Sequence, residues 1–95
     1  MFVVLLRFAQ NKSAAPQHLD GHNAWVKQGL EDGVFLLVGG IQPGKGGAIL
    51  AYNTTAEDLE LRVKTDPFVA ENVVAAEILE ITPGLVDDRL DFLLP

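Results

Sequence analysis

The chain has 95 residues and no cysteine, and its 7 basic and 13 acidic residues give a formal net charge of −6. This length suits one domain, and 48% hydrophobic against 21% charged residues describes a globular protein rather than a disordered chain. The acidic balance and the scattered basic residues argue against binding to nucleic acid or to an anionic membrane surface, and the lack of cysteine excludes disulfides and thiolate chemistry.

The N-terminus enters an apolar run without a basic leader, and no apolar stretch approaches the roughly 18 residues of a membrane span. We therefore expect a cytoplasmic protein. We also expect a single domain over residues 1–95, with a core at about 1–82 and a C-terminal tail at 83–95.

Proline, glycine and a capping motif divide the chain into its predicted elements. Pro16 occupies a first helical position after a polar loop, and Gly33 ends that helix. Thr54-Thr55-Ala56-Glu57 has the form of a capping box that opens a second helix, which Pro67 ends. The prediction in chain order is a strand at 2–8, a helix from Pro16 to about Asp32, strands at 34–38 and 48–52 that form a hairpin, a second helix from the capping box through Val63, and a strand at 73–81.

This order is β-α-β-β-α-β, the ferredoxin-like arrangement, an α+β fold with a four-stranded antiparallel sheet and two helices on one face. Strands one to three are apolar at consecutive positions, so both faces of the sheet require burial. Two helices cover only one face, which predicts a homodimer with the sheets packed face to face or wrapped into a shared α/β barrel. The apolar tail segment Phe92-Leu93-Leu94 either lies across the neighbouring subunit or frays.

His22 is a titratable side chain in a predicted buried stripe. Leu19, His22, Val26 and Leu30 recur at helical spacing, so the imidazole is expected to point towards the interior. Asp66 offers a carboxylate that could bind one ring nitrogen, fix the tautomer and leave the other nitrogen to move a proton. Each has a structural alternative, because buried histidines are often satisfied by packing and an Asp-Pro pair often ends a helix.

Several other residues have two interpretations. His18 and His22 stand at the spacing of a two-histidine metal site, but no third ligand is evident and we expect no metal or cofactor. Gly39-Gly40 and Gly44-Lys45-Gly46-Gly47 lie in a hairpin, which favours a turn with close backbone approach at a strand end over a phosphate-binding loop. Trp25 either walls a cleft or widens the core contact. Arg7 either binds a substrate carboxylate or, as we favour, forms a salt bridge with Glu77 or Glu80.

These residues resemble those of the YciI-like (YCII-related) proteins, in the dimeric α/β-barrel superfamily. The resemblance extends over roughly residues 1–82, and its most specific elements are the helical histidine and the Asp-Pro-Phe motif. The family pattern often has Gly-Pro after strand two, where this chain has Gly39-Gly40. The matching segments are Phe2–Phe8, His22-Asn23-Ala24-Trp25, Val38-Gly39-Gly40, Gly46-Gly47-Ala48-Ile49-Leu50-Ala51 and Asp66-Pro67-Phe68-Val69.

The resemblance implies a His-Asp pair in a small cleft, carried here by His22 and Asp66. It implies cofactor-independent proton transfer on a small organic molecule, of lyase, isomerase or dehydrochlorinase type, with His22 as general base or acid and Asp66 orienting it. Backbone N–H groups near Gly39 and Gly40 would receive an oxyanion. A non-catalytic small-molecule-binding dimer and a scaffold dimer are the alternatives. The candidate substrate-binding residues are Arg7, Trp25, Gly39, Gly40 and Phe68.

Overall fold

A computed structural model describes all 95 residues and has the predicted order of strands and long helices. Its strands β1 (Phe2–Phe8), β2 (Phe35–Ile41), β3 (Gly46–Ala51) and β4 (Val74–Glu80) form one sheet in the order β2-β3-β1-β4, and every neighbouring pair is antiparallel. The α+β, ferredoxin-like prediction is therefore confirmed. The other elements are a 3-10 turn (Lys12–Ala14), α1 (Ala15–Glu31), α2 (Ala56–Lys64), α3 (Pro67–Ala70) and a second 3-10 helix (Asp88–Leu93).

One face of the sheet packs against the helices and forms the core. Along β1, Phe2, Val4 and Leu6 are buried at alternate positions, as the two-residue period of a strand requires. The helical segments bury Leu59, Val63 and Phe68 in the same cluster, and the flanking strands add the buried residues Phe35, Ile49, Ala51 and Val74. Burial of these side chains is the main force that holds the helices on the sheet.

The second helical region is two helices rather than one. The N-cap of α2 is Thr55, whose hydroxyl accepts a hydrogen bond from the Asp58 backbone N–H at 3.1 Å, so the predicted capping box is shifted by one residue. Pro67 ends α2 as predicted, but it is also the first residue of the short helix α3. The unpredicted α3 places Asp66 at a helix N-cap.

The glycine-rich hairpin is strand over more of its length than predicted. β2 continues through Gly39 and Gly40 because Gly40 pairs with Gly47 and Ile41 pairs with Gly46. Gly46 has φ +128°, and a Cβ at that position would overlap the Leu6 carbonyl oxygen. Only glycine allows β3 to approach β1 so closely there, which is the close backbone approach at a strand end that the glycines of this hairpin predict.

The buried face of α1 is rotated relative to the predicted stripe. Leu19 and Leu30 are each 45% exposed, whereas Gly29 is the buried residue of the helix. A Cβ on Gly29 would overlap the Phe35 ring, so the missing side chain lets α1 lie close to β2. The stripe prediction was therefore wrong for Leu19 and Leu30, because a glycine makes the closest helix–sheet contact.

Replacing Gly29 with alanine is expected to destabilise the fold by about 1–3 kcal/mol, since the added methyl group must displace the Phe35 ring. Helix propensity alone would give a gain of about 1 kcal/mol. Urea denaturation of Gly29→Ala, Phe35→Leu and the double variant measures the coupling between the two sites, and Phe35→Leu should relieve part of the loss. A Gly29→Ala variant more stable than the parent would contradict the close packing.

Polar contacts join the end of α1 to α2. Asp32 accepts hydrogen bonds from Gln28 Nε2 at 2.7 Å and from Arg62 Nη1 at 2.9 Å, and these bonds lower the pKa of Asp32. The Trp25 indole Nε1 donates to the Arg62 carbonyl at 3.0 Å. These contacts fix the position of α1, which carries His22.

The second face of the sheet has no helix over it. Leu37 and Leu79 on this face are 54% and 43% exposed. The C-terminal residues reach the end of β3, where the Phe92 ring meets the Tyr52 ring of the same chain edge-on at 5.3 Å. No helix of the structure is long and apolar enough to cross a membrane. The register of the strands places six apolar residues on the uncovered face: Val3, Leu5, Leu37, Ala48, Leu50 and Leu79.

Candidate active site

The close approach of α1 to α3 brings together the two residues singled out from the sequence. His22 lies in the middle of α1 and Asp66 immediately precedes α3. Gly21 faces Pro67, and a Cβ on Gly21 would lie only 3.0 Å from Pro67 Cγ. This small residue lets the helices meet closely. The ring atom Nδ1 of His22 lies 2.8 Å from Asp66 Oδ1, although the residues are 44 positions apart in the chain.

Hydrogen bonding at Asp66 specifies which ring nitrogen of His22 carries a proton. Asp66 Oδ1 also accepts from the Phe68 backbone N–H at 3.0 Å. An ionised carboxylate only accepts hydrogen bonds, so Nδ1 of His22 must be the donor to it. In a neutral histidine that carries its proton on Nδ1, the lone pair available to accept a proton is on Nε2. The arrangement matches a proton-transfer histidine whose orientation a carboxylate fixes.

Asp66 and His22 are buried to different extents. The Asp66 side chain is fully buried, whereas the His22 side chain is 17% exposed. Asp66 Oδ2 is also buried but has no hydrogen-bond partner. An unpartnered buried carboxylate oxygen is unfavourable and uncommon in structural sites, and a positive charge on the adjacent imidazole would offset its burial.

Aromatic rings fix the orientation of the imidazole. The Phe68 ring is stacked on the His22 ring, with 4.1 Å between centroids and 5° between planes. The Trp25 ring lies 6.0 Å from the His22 ring, at 29°. Because Nδ1 is held by Asp66 and a ring face by Phe68, rotation of the imidazole requires loss of both contacts.

A cavity of about 240 Å³ adjoins His22, between α1 and the core face of the sheet. Its wall is mostly apolar, and its rim residues Phe8, Leu19 and Asn23 are exposed, so it opens to solvent. An apolar cavity of about 150 Å³ holds a benzene molecule, so this one suits a single substituted ring. The lining residues are Leu6, Phe8, Leu19, His22, Asn23, Gly46, Gly47, Phe68 and Val74.

Of the predicted substrate-binding residues, only Phe68 lines this cavity. Trp25 lies outside it and packs edge-on against Phe35, with ring centroids 5.1 Å apart. This is the packing role that one of its two interpretations gave it. Arg7 lies on the opposite face of the sheet and pairs with Glu77, with Nη1 and Oε1 2.7 Å apart. The structure therefore gives Arg7 the salt bridge and not a place in the cavity.

The expectation that Gly39 and Gly40 face the cleft is corrected by the strand register. Neither lines the cavity, whereas Gly46 and Gly47, which pair with Ile41 and Gly40, do. β3 lies between β2 and β1, so its glycines are nearer to the centre of the sheet. The placement of an oxyanion at Gly39 and Gly40 therefore has no support from the geometry.

Sequence reasoning missed Asn23, Phe8 and Leu19 as cavity residues. Asn23 follows His22 on α1, and its side chain makes no hydrogen bond within the chain. The only feature of the sequence that could have indicated Asn23 as a cavity residue is its position directly after the candidate histidine. Leu19 belonged to the predicted buried stripe, but its side chain forms the cavity rim instead.

The described residues contain no group of three or more histidine, aspartate, glutamate or cysteine side chains arranged to hold a metal ion. His18 lies four residues before His22 but does not line the cavity. The polar groups available for chemistry at the cavity wall are the His22 imidazole, the Asn23 carboxamide and the backbone of the glycines.

Neither a protein-family model nor a curated protein sequence matches the chain. Among solved structures, the fold is similar to that of 5-chloro-2-hydroxyhydroquinone dehydrochlorinase (TftG) from Burkholderia phenoliruptrix AC1100, in complex with 2,5-dihydroxybenzoquinone. The TM-score is 0.69 and the identity 12%, over 88% of this chain and 96% of that chain. At this identity the similarity establishes the fold alone.

Proposed function

We propose that the protein is a cofactor-independent enzyme in which His22 transfers a proton on a small organic molecule and Asp66 orients His22. The observation that carries the proposal is the hydrogen bond of 2.8 Å between His22 and the fully buried Asp66, at the wall of a solvent-connected cavity. A histidine sealed by packing, with its aspartate turned only to the backbone, would have argued for a scaffold.

The proposed chemistry requires only one proton-transfer group. Nε2 of His22 removes a proton from the bound molecule, and the resulting imidazolium is stabilised by the carboxylate of Asp66. Return of that proton to another atom of the same molecule gives an isomerisation. Alternatively, the electron pair of the broken C–H bond forms a double bond while a carbon–halogen bond breaks, and halide leaves. The proton on His22 then passes to water.

Two observations support the lyase or isomerase class. The similar structure bears the name of a dehydrochlorinase and holds 2,5-dihydroxybenzoquinone, a single substituted ring. The cavity next to His22 has a volume suited to one such ring. We also propose that the chain is a YciI-like protein, on the basis of His22 and the motif Asp66-Pro67-Phe68.

The test is a turnover screen of purified wild-type protein with two groups of compounds. The first contains chlorinated hydroxyhydroquinones and is monitored by chloride release. The second contains unsaturated lactones and ring-fission acids and is monitored by ultraviolet absorbance. The proposal predicts turnover of at least one compound by the wild type and a loss of about 10²- to 10⁴-fold in His22→Gln. Turnover that is unchanged in His22→Gln would overturn the assigned role of His22.

A non-catalytic binding protein or scaffold is the second candidate. The contact that favours it is the hydrogen bond from the Phe68 N–H to Asp66 Oδ1, which caps α3 whether or not chemistry occurs. A binding protein predicts that a ring compound raises the melting temperature without turnover, whereas a scaffold predicts no such rise. Both predict that His22→Ala leaves the biological output of the protein intact.

We further propose that the protein works as a cytoplasmic homodimer in which the uncovered sheet faces pack together. The occupant we assign to this face is a second copy of the chain, because the face is apolar at its centre and a two-fold axis buries the same patch on both copies. The ion pair of Arg7 with Glu77 lies on the same face. The tail segment 92–94 is proposed to lie across the neighbouring subunit, and its Phe92 ring meets Tyr52 of its own chain at the end of β3.

Leu50→Glu is expected to convert a dimer into a monomer, because it places a charge at the centre of that face, between Val3 and Leu37. Sedimentation velocity measures the change. Leu61→Glu is the matched control, since Leu61 is 62% exposed on α2 and lies away from this face. A wild-type protein that sediments as a monomer at the concentrations of the activity assay would contradict the dimer.

A further inference from the structure

The basic residues divide into those that pair with a carboxylate and those that do not. Of the 7 lysines and arginines, four have a carboxylate oxygen within 4.0 Å, which leaves 7 − 4 = 3 without one. The unpaired three are Lys12, Lys45 and Lys64. In a chain with a net charge of −6, cations without a partner are the groups available to an anionic ligand.

Two of the three unpaired lysines lie on segments that meet the mouth of the cavity beside His22. Nζ of Lys12 lies 4.6 Å from the centroid of the Phe8 ring, and Phe8 forms part of the cavity rim. The carbonyl of Lys45 accepts from the Phe8 backbone N–H at 3.3 Å, and Gly46, the next residue, lines the cavity. The third, Lys64, lies along a separate groove between α2 and β4.

The charge of Lys12 is not neutralised by the loop beside it. Asn11 Nδ2 donates to the Glu71 carbonyl at 2.9 Å, so the segment that precedes Lys12 is held against the residues after α3. The carboxylate of Glu71 nevertheless makes no ion pair with Lys12. The ammonium of Lys12 therefore lies beside the rim residue Phe8 without a carboxylate partner, on a protein that is acidic as a whole.

We infer that the cavity binds a small organic anion with a single ring, whose ring occupies the apolar interior and whose anionic group lies at the mouth near Lys12 and Lys45. This inference rests on the proposed function in placing the substrate beside His22, and it names the substrate class. The free carboxamide of Asn23 offers a hydrogen bond to a second polar substituent. A neutral ring of the same size gains the apolar contacts but not the attraction of the two lysines.

Matched acids and amides test the inference without any need for turnover. The probes are benzoate and benzamide, salicylate and salicylamide, and nicotinate and nicotinamide, titrated against isotopically labelled protein and followed by NMR at Phe8, His22 and Gly47. The wild type is expected to bind the acid of each pair more tightly. Lys12→Met and Lys45→Met should each weaken acid binding by about 2- to 5-fold and leave amide binding unchanged, as expected for exposed charge pairs.

Lys64→Met is the matched control, because it removes one unpaired lysine from the separate groove and should leave the acid preference intact. Added salt should reduce the preference in the wild type. Equal binding of acids and amides, an equal effect of Lys64→Met, or the absence of binding at the cavity by all six probes would overturn the inference. Because these measurements report binding alone, failure of the acid–base role of His22 would be detected separately by turnover.

Discussion

The substitution His22→Gln is expected to lower kcat by about 10²- to 10⁴-fold on any compound that the wild type converts, which is the usual contribution of a general acid or base. Glutamine can retain a hydrogen bond to Asp66 Oδ1 but cannot take up a proton near neutral pH. The free energy of unfolding should fall by less, because glutamine keeps a hydrogen bond to the buried Asp66 although it loses the stacking of the imidazole on Phe68. Parallel measurement of kcat and urea denaturation separates the two effects.

The matched control is His18→Gln. His18 is the other histidine of the chain and lies one helical turn before His22, but it does not line the cavity. We expect it to keep wild-type kcat. Equal losses in both variants would mean that the activity reflects the condition of α1 rather than the imidazole of His22.

Replacing Asp66 with alanine is expected to reduce both stability and activity. Its Oδ1 accepts two hydrogen bonds, from His22 Nδ1 and from the Phe68 N–H, and the side chain is fully buried. Loss of the carboxylate leaves both donors without a partner in a buried site, and we expect a loss of about 2–4 kcal/mol in the free energy of unfolding. Thermal and urea denaturation measure this change.

Asp66→Asn separates the structural role of this residue from its role in chemistry. The amide oxygen can still cap α3 at the Phe68 N–H, so most of the stability should return. The neutral amide does not stabilise an imidazolium, and kcat should stay at least about 10²-fold below that of the wild type. Wild-type turnover in Asp66→Asn would reduce Asp66 to a helix cap, and NMR of the His22 ring would show whether its tautomer had changed.

The sequence alone predicted those strands and helices whose formation depends on residues close together in the chain. β1 has the predicted bounds, and α1 begins one residue before Pro16, because strand-length apolar runs and a proline at the first turn act on their own neighbours. The hairpin is different. Its strands extend through Gly39, Gly40, Gly46 and Gly47 because these residues pair across the sheet, a contact that no local propensity encodes.

The candidate site also has a part that nearby residues predict and a part that depends on contacts between distant elements. A helical histidine and an Asp-Pro-Phe motif suggested the contact between His22 and Asp66, and the two side chains lie within hydrogen-bonding distance. The surrounding wall could not be predicted so well. Arg7 forms the salt bridge favoured for it, but it was also a candidate for the cavity, because β1 is apolar on both faces and its pattern does not reveal which face lies under the helices.

Asp66 Oδ1 accepts both the Phe68 N–H and the His22 imidazole, and this has a consequence for how the protein can change during evolution. Even a substitution that keeps the helix cap, such as Asp66→Asn, changes the charge beside His22, so this position cannot be adjusted for stability without altering its contact with His22. The cavity rim has no such constraint. Phe8, Leu19 and Asn23 are exposed, so substitutions there can change which molecule is held while the hydrogen bond of Asp66 to His22 is kept. New specificities are therefore expected to arise at the rim.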